Sequence, residues 1–430
     1  MLFKNITLLD ENLNIKENIC LAIKADKIAY IGYEIPKMDF GRVYEGVGKL
    51  VIPAFINTHA HTPMALLRGY GENMNLQDWL FKKIFPFEDR LSSNDVYYAS
   101  LLGFAEMLKY GTVSTTDMYM FGEDILRAVI ESGVKCNFDR PITAFKPNLD
   151  LENLPAFKES EILYKKYHNA ENGRIKIDMG IHAEYTSNAE VVKEIAAYCK
   201  SIGTNMNLHL SETRLEHEEC KARHNGMTPA QYFDSLGVFE NSTTAAHCVW
   251  IEDCDREIFK AKGVTVASCP VSNLKLASGV CDVKKLFDMG INVALGTDSV
   301  ASNNNLDMIE EMKFFALLNK GFKNDPTVIT PKQAVLAATL NGAKAQGRTD
   351  CGALKLGNKA DLCVFDLNRA NFQPIHDVLN NLVYAASGGD IVLTMADGKV
   401  LYENGKYTTI DLEKTVYEVN AAKARILSEL

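Results

Sequence analysis

Leu50-Val51-Ile52-Pro53-Ala54-Phe55-Ile56-Asn57-Thr58-His59-Ala60-His61 is an apolar run that ends in two histidines one residue apart. Side chains in a β-strand repeat with period two, so both imidazoles leave the strand end on the same side, as two ligands of one metal must. The strand proper is expected over Val51 to Asn57. Seven further runs rich in β-branched residues follow: Thr112 to Met118, Val134 to Arg140, Ile175 to His182, Thr204 to Leu210, Thr243 to Cys248, Val264 to Ser268 and Ile291 to Thr297. Between them lie stretches of helical period, such as Asn94 to Lys109 with Val96, Leu101, Leu102, Ala105 and Leu108 apolar, and Asn188 to Ser201 with Val191, Val192, Ile195 and Ala196. Eight alternations of strand and helix predict an α/β fold, a (β/α)8 TIM-type barrel over residues 51–350.

The ends break that alternation. Residues 1–50 offer short strands, including Leu21 to Lys24 and Lys27 to Ile31, with little helix. Residues 351–430 resume the strand pattern in Ala360 to Phe365 and Ile391 to Val400, then end in a helical stretch, Leu412 to Leu430. Both ends are expected to form one small β-sandwich beside the barrel, with the C-terminal helix packed on either body.

Composition narrows the partners. The 430 residues are 47% hydrophobic and 23% charged, as in an ordinary globular chain. A net charge of −9 with a pI near 5.6 and no basic run leaves no footprint for nucleic acid or an anionic membrane. No apolar segment of about 18 residues and no signal-like N-terminus is present, so a cytoplasmic location is expected. The expected partner is a small-molecule substrate, with no nucleic acid and no membrane, and a homo-oligomer is expected. The ten cysteines contain no CxxC pair, and Cys136, Cys248, Cys269 and Cys363 sit in apolar runs as small hydrophobes would. His182-Ala183-Glu184 matches the first half of the zinc signature of base-flipping deaminases, but the PCxxC second half is missing.

Active sites of such barrels lie at the C-terminal ends of the strands. The predicted strands end in His59 and His61, His182, His209, His247 and Asp298, whereas His168, His217, His224 and His376 fall elsewhere. Imidazoles with one carboxylate suit a single borderline divalent ion, Zn2+ first, with Fe2+, Mn2+ or Co2+ also compatible. Three histidines and Asp298 leave one position for water, which there loses its proton near neutral pH. Glu212, three residues past His209, is placed at the strand mouth where a proton carrier is needed. His247 fits either a second ion or a donor to a developing oxyanion. Two-metal barrels use a strand-four lysine at the mouth, and here that strand ends Asp178-Met179-Gly180-Ile181-His182, which favours one metal.

The segments Pro53 to Met64, Arg68-Gly69, Asp78-Trp79-Leu80, Glu88 to Leu91, His209 to Thr213, Ala246-His247-Cys248, Ser272 to Leu276, Gly296-Thr297-Asp298 and Ala301 to Asn304 resemble the amidohydrolase superfamily, and within it the 5-methylthioadenosine/S-adenosylhomocysteine deaminases. The resemblance implies metal ligation by His59, His61, His209 and Asp298, and catalysis by Glu212, His247 and Asp298. It implies substrate contacts from Glu88, Arg140, His182, Glu212 and Asp298, with the Glu88 carboxylate accepting from ribose hydroxyls. The implied reaction is hydrolytic deamination of an adenine nucleoside (5'-methylthioadenosine, S-adenosylhomocysteine, 5'-deoxyadenosine or adenosine) to the inosine analogue and ammonia. Read from its residue type alone, Arg140 could equally pair with Asp139 or Glu88.

Two positions depart from the family pattern. The loop Pro147 to Glu152 has no arginine where relatives often carry one, which bears on recognition of the S-adenosylhomocysteine carboxylate; and Ser299-Val300 stand where Gly-Ala is usual. The nearest alternative is another amidohydrolase reaction, on guanine, a pterin, cytosine or a triazine. A non-catalytic metal-binding scaffold is a further alternative, but a scaffold needs no proton carrier at Glu212.

Overall fold

The computed structural model describes residues 1–74, 76–145 and 150–430. Eight parallel barrel strands run Phe55–Ala60, Thr112–Met118, Lys135–Asp139, Ile175–Ile177 continued by Met179–Ile181, Met206–Leu210, Thr243–His247, Thr265–Ser268 and Val293–Leu295. Neighbours pair in sequence order, and the ring closes through a parallel bridge between Ala60 and Asp298. The (β/α)8 barrel read from the alternation is therefore the architecture.

The helices begin where side chains can satisfy free backbone N–H groups. Ser93–Lys109 starts after Ser92, whose backbone N–H donates to Asp95 Oδ2 at 2.7 Å in a capping box. Ala189–Ile202 starts after Asn188, whose Oδ1 accepts from Val191 N at 3.0 Å, and stops at Gly203, where φ is +69°.

Both chain ends form one β-sandwich body, hydrogen-bonded as a nine-stranded sheet. Its core joins Phe3, Ile19, Leu21 and Val51 from the first end to Leu362, Val364 and Leu393 from the second. One strand of this sheet comes from the run expected to be purely barrel. Lys49–Pro53 pairs with Leu2–Leu9 and Leu362–Asp366, and the barrel strand begins only at Phe55. The chain changes sheets at Ala54, whose N–H donates to Asp361 O at 3.1 Å while that of Phe55 turns to Gly111 O at 2.9 Å. Burial on both sides of this step keeps the run continuously apolar, so period alone does not mark it.

Two other runs also divide. Ile175 to His182 breaks at Asp178, whose N–H donates to Phe138 O at 2.9 Å, and the two halves pair with different neighbours. Ile391 to Val400 is a hairpin of Ile391–Ala396 and Lys399–Glu403, turned by Asp397 (φ 45°) and Gly398 (φ 73°). Positive φ at both central residues suits the right-handed twist of a two-residue hairpin.

The C-terminal helix Leu412–Glu429 packs on Ser93–Lys109, where Arg425 Nη2 meets Asp95 Oδ2 at 2.5 Å. Barrel and sheet are locked by Lys135, a fully buried ammonium on barrel strand three. It donates to Asp361 Oδ1 at 2.5 Å and Asp397 Oδ1 at 2.8 Å.

Candidate active site

The three histidines His59, His61 and His209 come together at the strand mouths, their ligand nitrogens all within 4.8 Å of one another. His61 gives its Nδ1 proton to Met118 O at 2.6 Å and His209 gives its own to His182 O at 2.7 Å. Each ring is thereby fixed with its Nε2 lone pair facing inward, the form a metal takes. His59 Nε2 is buried with no hydrogen-bond partner among the described residues, an arrangement that costs free energy unless a cation fills it. Asp298 Oδ1 lies 3.3 Å from His61 Nε2 and 3.7 Å from His59 Nε2. Neutral imidazoles with a facing carboxylate fit a divalent metal ion, and the three histidines form its site.

The electrostatics agree with that donor set. Burial holds His59 and His209 well below the usual imidazole range, so both rings are neutral. Burial also opposes charge on His61, but the Asp298 carboxylate and the Met118 carbonyl outweigh it and lift the ring to about 9.

Asp298 is held by its other oxygen, which accepts from Ser272 Oγ at 2.6 Å and Ser302 Oγ at 2.9 Å. Its backbone is left-handed, φ 60°, like that of His247, φ 69°. Non-glycine residues adopt this region at a cost, and here the strained positions aim side chains at the site.

Glu212 and His247 face each other, Glu212 Oε2 to His247 Nε2, at 3.8 Å. Burial raises the proton affinity of Glu212, and Ser278 Oγ donates to its Oε1 at 3.3 Å. Asn273 Oδ1 fixes His247 Nδ1 at 2.9 Å, with the ring turned so that its remaining nitrogen looks into the site. The Glu212 backbone is gripped by Glu216, whose two carboxylate oxygens accept from Ser211 N at 2.9 Å and Glu212 N at 2.8 Å.

A cavity of about 320 Å³ opens from this cluster. It is lined by His61, His209, Glu212, His247 and Asp298, by Glu88, Tyr119 and Arg140, and by apolar side chains that include Leu76, Trp79, Leu80 and Phe85. All six expected substrate and catalytic positions other than the metal histidines thus face one space: Glu88, Arg140, His182, Glu212, His247 and Asp298. Burial lifts the Glu88 carboxyl to about 7, against the Tyr119 hydroxyl, which donates to its Oε1 at 2.6 Å. His182 lies tilted against His209, with ring centres 4.9 Å apart, and burial depresses it to about 4.

Arg140 lines the cavity, but its guanidinium pairs with neither Asp139 nor Glu88. Its Nε meets Glu159 Oε2 at 2.9 Å and its Nη1 donates to Pro141 O at 3.0 Å. Residues 147–149 of the loop that lacks arginine lie outside the described residues, whereas Ser299 lines the cavity and Val300 is buried behind it. The lysine of barrel strand four, Lys176, reaches away from the mouth to Gln346 O (3.3 Å) and Gly347 O (2.7 Å). Residue type alone did not single out Ser272, Asn273, Ser278, Ser302, Tyr119 or Glu216. For Glu216 a signal existed: a glutamate three residues after Thr213, the N-cap of helix Arg214–Arg223, marks a helix start.

A (β/α)8 barrel with a histidine metal site at its strand mouths and a buried carboxylate beside it defines a metal-dependent hydrolase. The chain belongs to the amidohydrolase family, whose model matches residues 50–401. It is 39% identical over 423 residues, 97% of either chain, to the 5-methylthioadenosine/S-adenosylhomocysteine deaminase of Thermoanaerobacter pseudethanolicus. To the 5'-deoxyadenosine deaminase of Methanosarcina mazei it is 38% identical over 410 residues, 95% of this chain and 94% of the relative. Among solved structures, an adenosine deaminase from Xanthomonas campestris with bound zinc superposes with a TM-score of 0.92 at 27% identity, covering 99% of this chain and 98% of the other.

Proposed function

We propose that this protein removes the 6-amino group of an adenine nucleoside by hydrolysis, releasing ammonia and the inosine analogue, with Zn2+ held by His59, His61, His209 and Asp298. The candidate substrates are 5'-methylthioadenosine, S-adenosylhomocysteine, 5'-deoxyadenosine and adenosine, in keeping with the activities of the relatives. One observation carries the reading. A single cavity joins the metal histidines to the Glu88 carboxylate, so a ligand with an amino-heterocycle at one end and a diol at the other meets complementary groups at both.

When bound, the ion supplies a Lewis acid that makes water nucleophilic near neutral pH. Glu212, whose burial raises its proton affinity, would take a proton from the attacking water and deliver it to ring N1, which makes C6 electrophilic. His247, fixed at Nδ1 by Asn273, offers Nε2 to the oxygen added at C6. Because Asn273 Oδ1 accepts the Nδ1 proton, His247 donates from Nε2 only when the ring carries a second proton. Asp298, braced by Ser272 and Ser302, orients the attacking water, then takes the proton of the hydroxyl added at C6 and passes it to the leaving amine. Glu88 accepts from the sugar hydroxyls, His182 flanks the purine, and Arg140 borders the substrate while paired with Glu159.

A homo-oligomer is supported by the exposed apolar side chains Tyr33, Ile35, Met38 and Val47 on the end sheet and its loops. A cytoplasmic location is consistent with ten unpaired thiols and with the absence of any described helix long and apolar enough to cross a membrane. The test of function is a panel of the four nucleosides with guanine and a pterin, read by ammonia release and the absorbance change on deamination. Turnover confined to the free bases would overturn the nucleoside reading.

A further inference from the structure

We propose that Tyr119 is a positioning residue for sugar recognition, its hydroxyl fixing the Glu88 carboxylate at a set distance from the metal end of the cavity. The inference rests on the reading of Glu88 as the ribose acceptor.

Glu88 stands on the short helix Phe85–Glu88, which belongs to the wall of the cavity rather than to a barrel strand. Tyr119 directly follows barrel strand two. It is buried, and its backbone N–H donates to Asp139 O at 3.2 Å, which ties it to strand three. The Tyr119 hydroxyl donates to Glu88 Oε1 at 2.6 Å, and no described residue donates to the second oxygen, Oε2. One oxygen is thus held by the barrel while the other keeps its lone pairs for a ligand.

The preceding residue completes the argument. Met118 O accepts the Nδ1 proton of His61, a metal histidine, at 2.6 Å. Two consecutive residues therefore anchor two functional groups of one cavity: the carbonyl of Met118 holds the metal histidine His61 and the hydroxyl of Tyr119 holds Glu88. Met118 ends barrel strand two and Tyr119 follows it directly, so one rigid piece of the barrel carries both anchors. Rigid anchors favour ligands whose groups already stand at the matching separation.

The charged and titratable groups around Glu88 are few. His61 favours its ionised form, Asp89 disfavours it, and among the described residues no lysine or arginine pairs with it. Burial raises its proton affinity, and the Tyr119 hydroxyl is the group that opposes this by direct hydrogen bonding. Loss of that hydroxyl leaves the carboxyl both freer to rotate and more readily protonated, and each change weakens an acceptor.

The test compares Tyr119→Phe and Glu88→Ala on a ribonucleoside and on its 2',3'-dideoxy analogue, in the metal-loaded enzyme. Tyr119→Phe is expected to raise KM for the ribonucleoside about tenfold, with kcat within about twofold, and to move KM for the dideoxy analogue by less than about twofold. The pH at which KM improves should also shift upward. In a Glu88→Ala background, which lacks the acceptor, the added Tyr119→Phe change should have no further effect on KM. Equal losses on both substrates, or an undiminished effect in the Glu88→Ala background, would overturn the proposal. If Glu88→Ala leaves the preference for the ribonucleoside intact, the ribose reading of Glu88 fails. If Glu88→Ala abolishes the preference while Tyr119→Phe keeps it, only the Tyr119 inference fails.

Discussion

The backbone N–H of Asp298 donates to the carbonyl oxygen of His59 at 2.9 Å, so the first and last barrel strands are joined at two residues of the metal cluster. Closing the barrel thus brings Asp298 beside the metal histidine His59. Gly296 permits the close approach: a Cβ at that position would lie 2.9 Å from both the backbone N and O of His59. Neither atom can rotate away as a side chain could. We expect Gly296→Ala to destabilise the fold by about 1–3 kcal/mol, as overpacking does. Metal content per subunit should fall with the melting temperature. An unchanged metal content in a destabilised protein would separate closure from site assembly.

Removal of the metal should abolish deamination, and added Zn2+ should restore it. The apo protein should also melt earlier, because an ion that binds only the native state adds about 2.7 kcal/mol when present at 100 times its Kd. A chelator titration followed by differential scanning calorimetry checks both effects.

Glu212→Gln removes the proton carrier but keeps its size, and kcat is expected to fall about 10²- to 10⁴-fold with metal content intact. Glu216→Gln tests the support beneath it. Both Glu216 oxygens accept backbone N–H groups, and Ser211 between His209 and Glu212 is left-handed, with φ 47°. An amide presents one acceptor and one NH2 to two donors, so the turn loosens. About a tenfold loss in kcat at constant KM is expected, read from steady-state kinetics.

Glu88 gives the pH dependence. Burial lifts its carboxyl to about 7, so below that pH the group is protonated and loses acceptor capacity. Binding of a ribonucleoside, measured as 1/KM or as the affinity of a competitive inhibitor, should therefore rise as pH increases through about 7. In Glu88→Gln that rising limb should disappear, while the limb due to Glu212 remains in kcat.

The distribution of legible and illegible features follows from the range of the interactions. The eight strands and the histidines at their ends are written in local period and position, and the structure keeps them. The sheet change at Ala54 is not, because Lys49–Pro53 and Phe55–Ala60 are buried alike and differ only in their partners. Tyr119 and Glu88 are 31 residues apart, and Arg140 finds Glu159 on a later helix rather than Asp139 or Glu88. Such pairs depend on how separate elements dock. The residues that brace the catalytic groups, Ser272 and Ser302 on Asp298 and Asn273 on His247, have polar side chains common in any loop, and only their geometry distinguishes them.

Lys135 supplies a test of how far the end sheet supports the barrel. Its ammonium is fully buried between Asp361 and Asp397, both on the end sheet or its turn, while the lysine itself lies on barrel strand three. The assembled trio is not in itself strong evidence of stabilisation, since burying ions costs much of what their attraction returns. Removing only the cation is different, because it leaves the buried Asp361 carboxylate without its cation, while Asp397 retains Lys359 Nζ at 3.6 Å. We expect Lys135→Met to cost about 3–5 kcal/mol of stability. Burial already opposes charge on Asp361, and Lys135 is what holds its carboxyl below the usual range. Without the lysine that carboxyl should take up a proton, so the stability of the variant should improve as pH falls toward the ordinary carboxylate range, opposite to the parent. Lys135 is remote from the cavity, so the turnover per bound metal of the folded variant should be close to that of the parent at low temperature. A large loss of kcat without loss of melting temperature would show that the end sheet acts on the site rather than on the stability of the barrel.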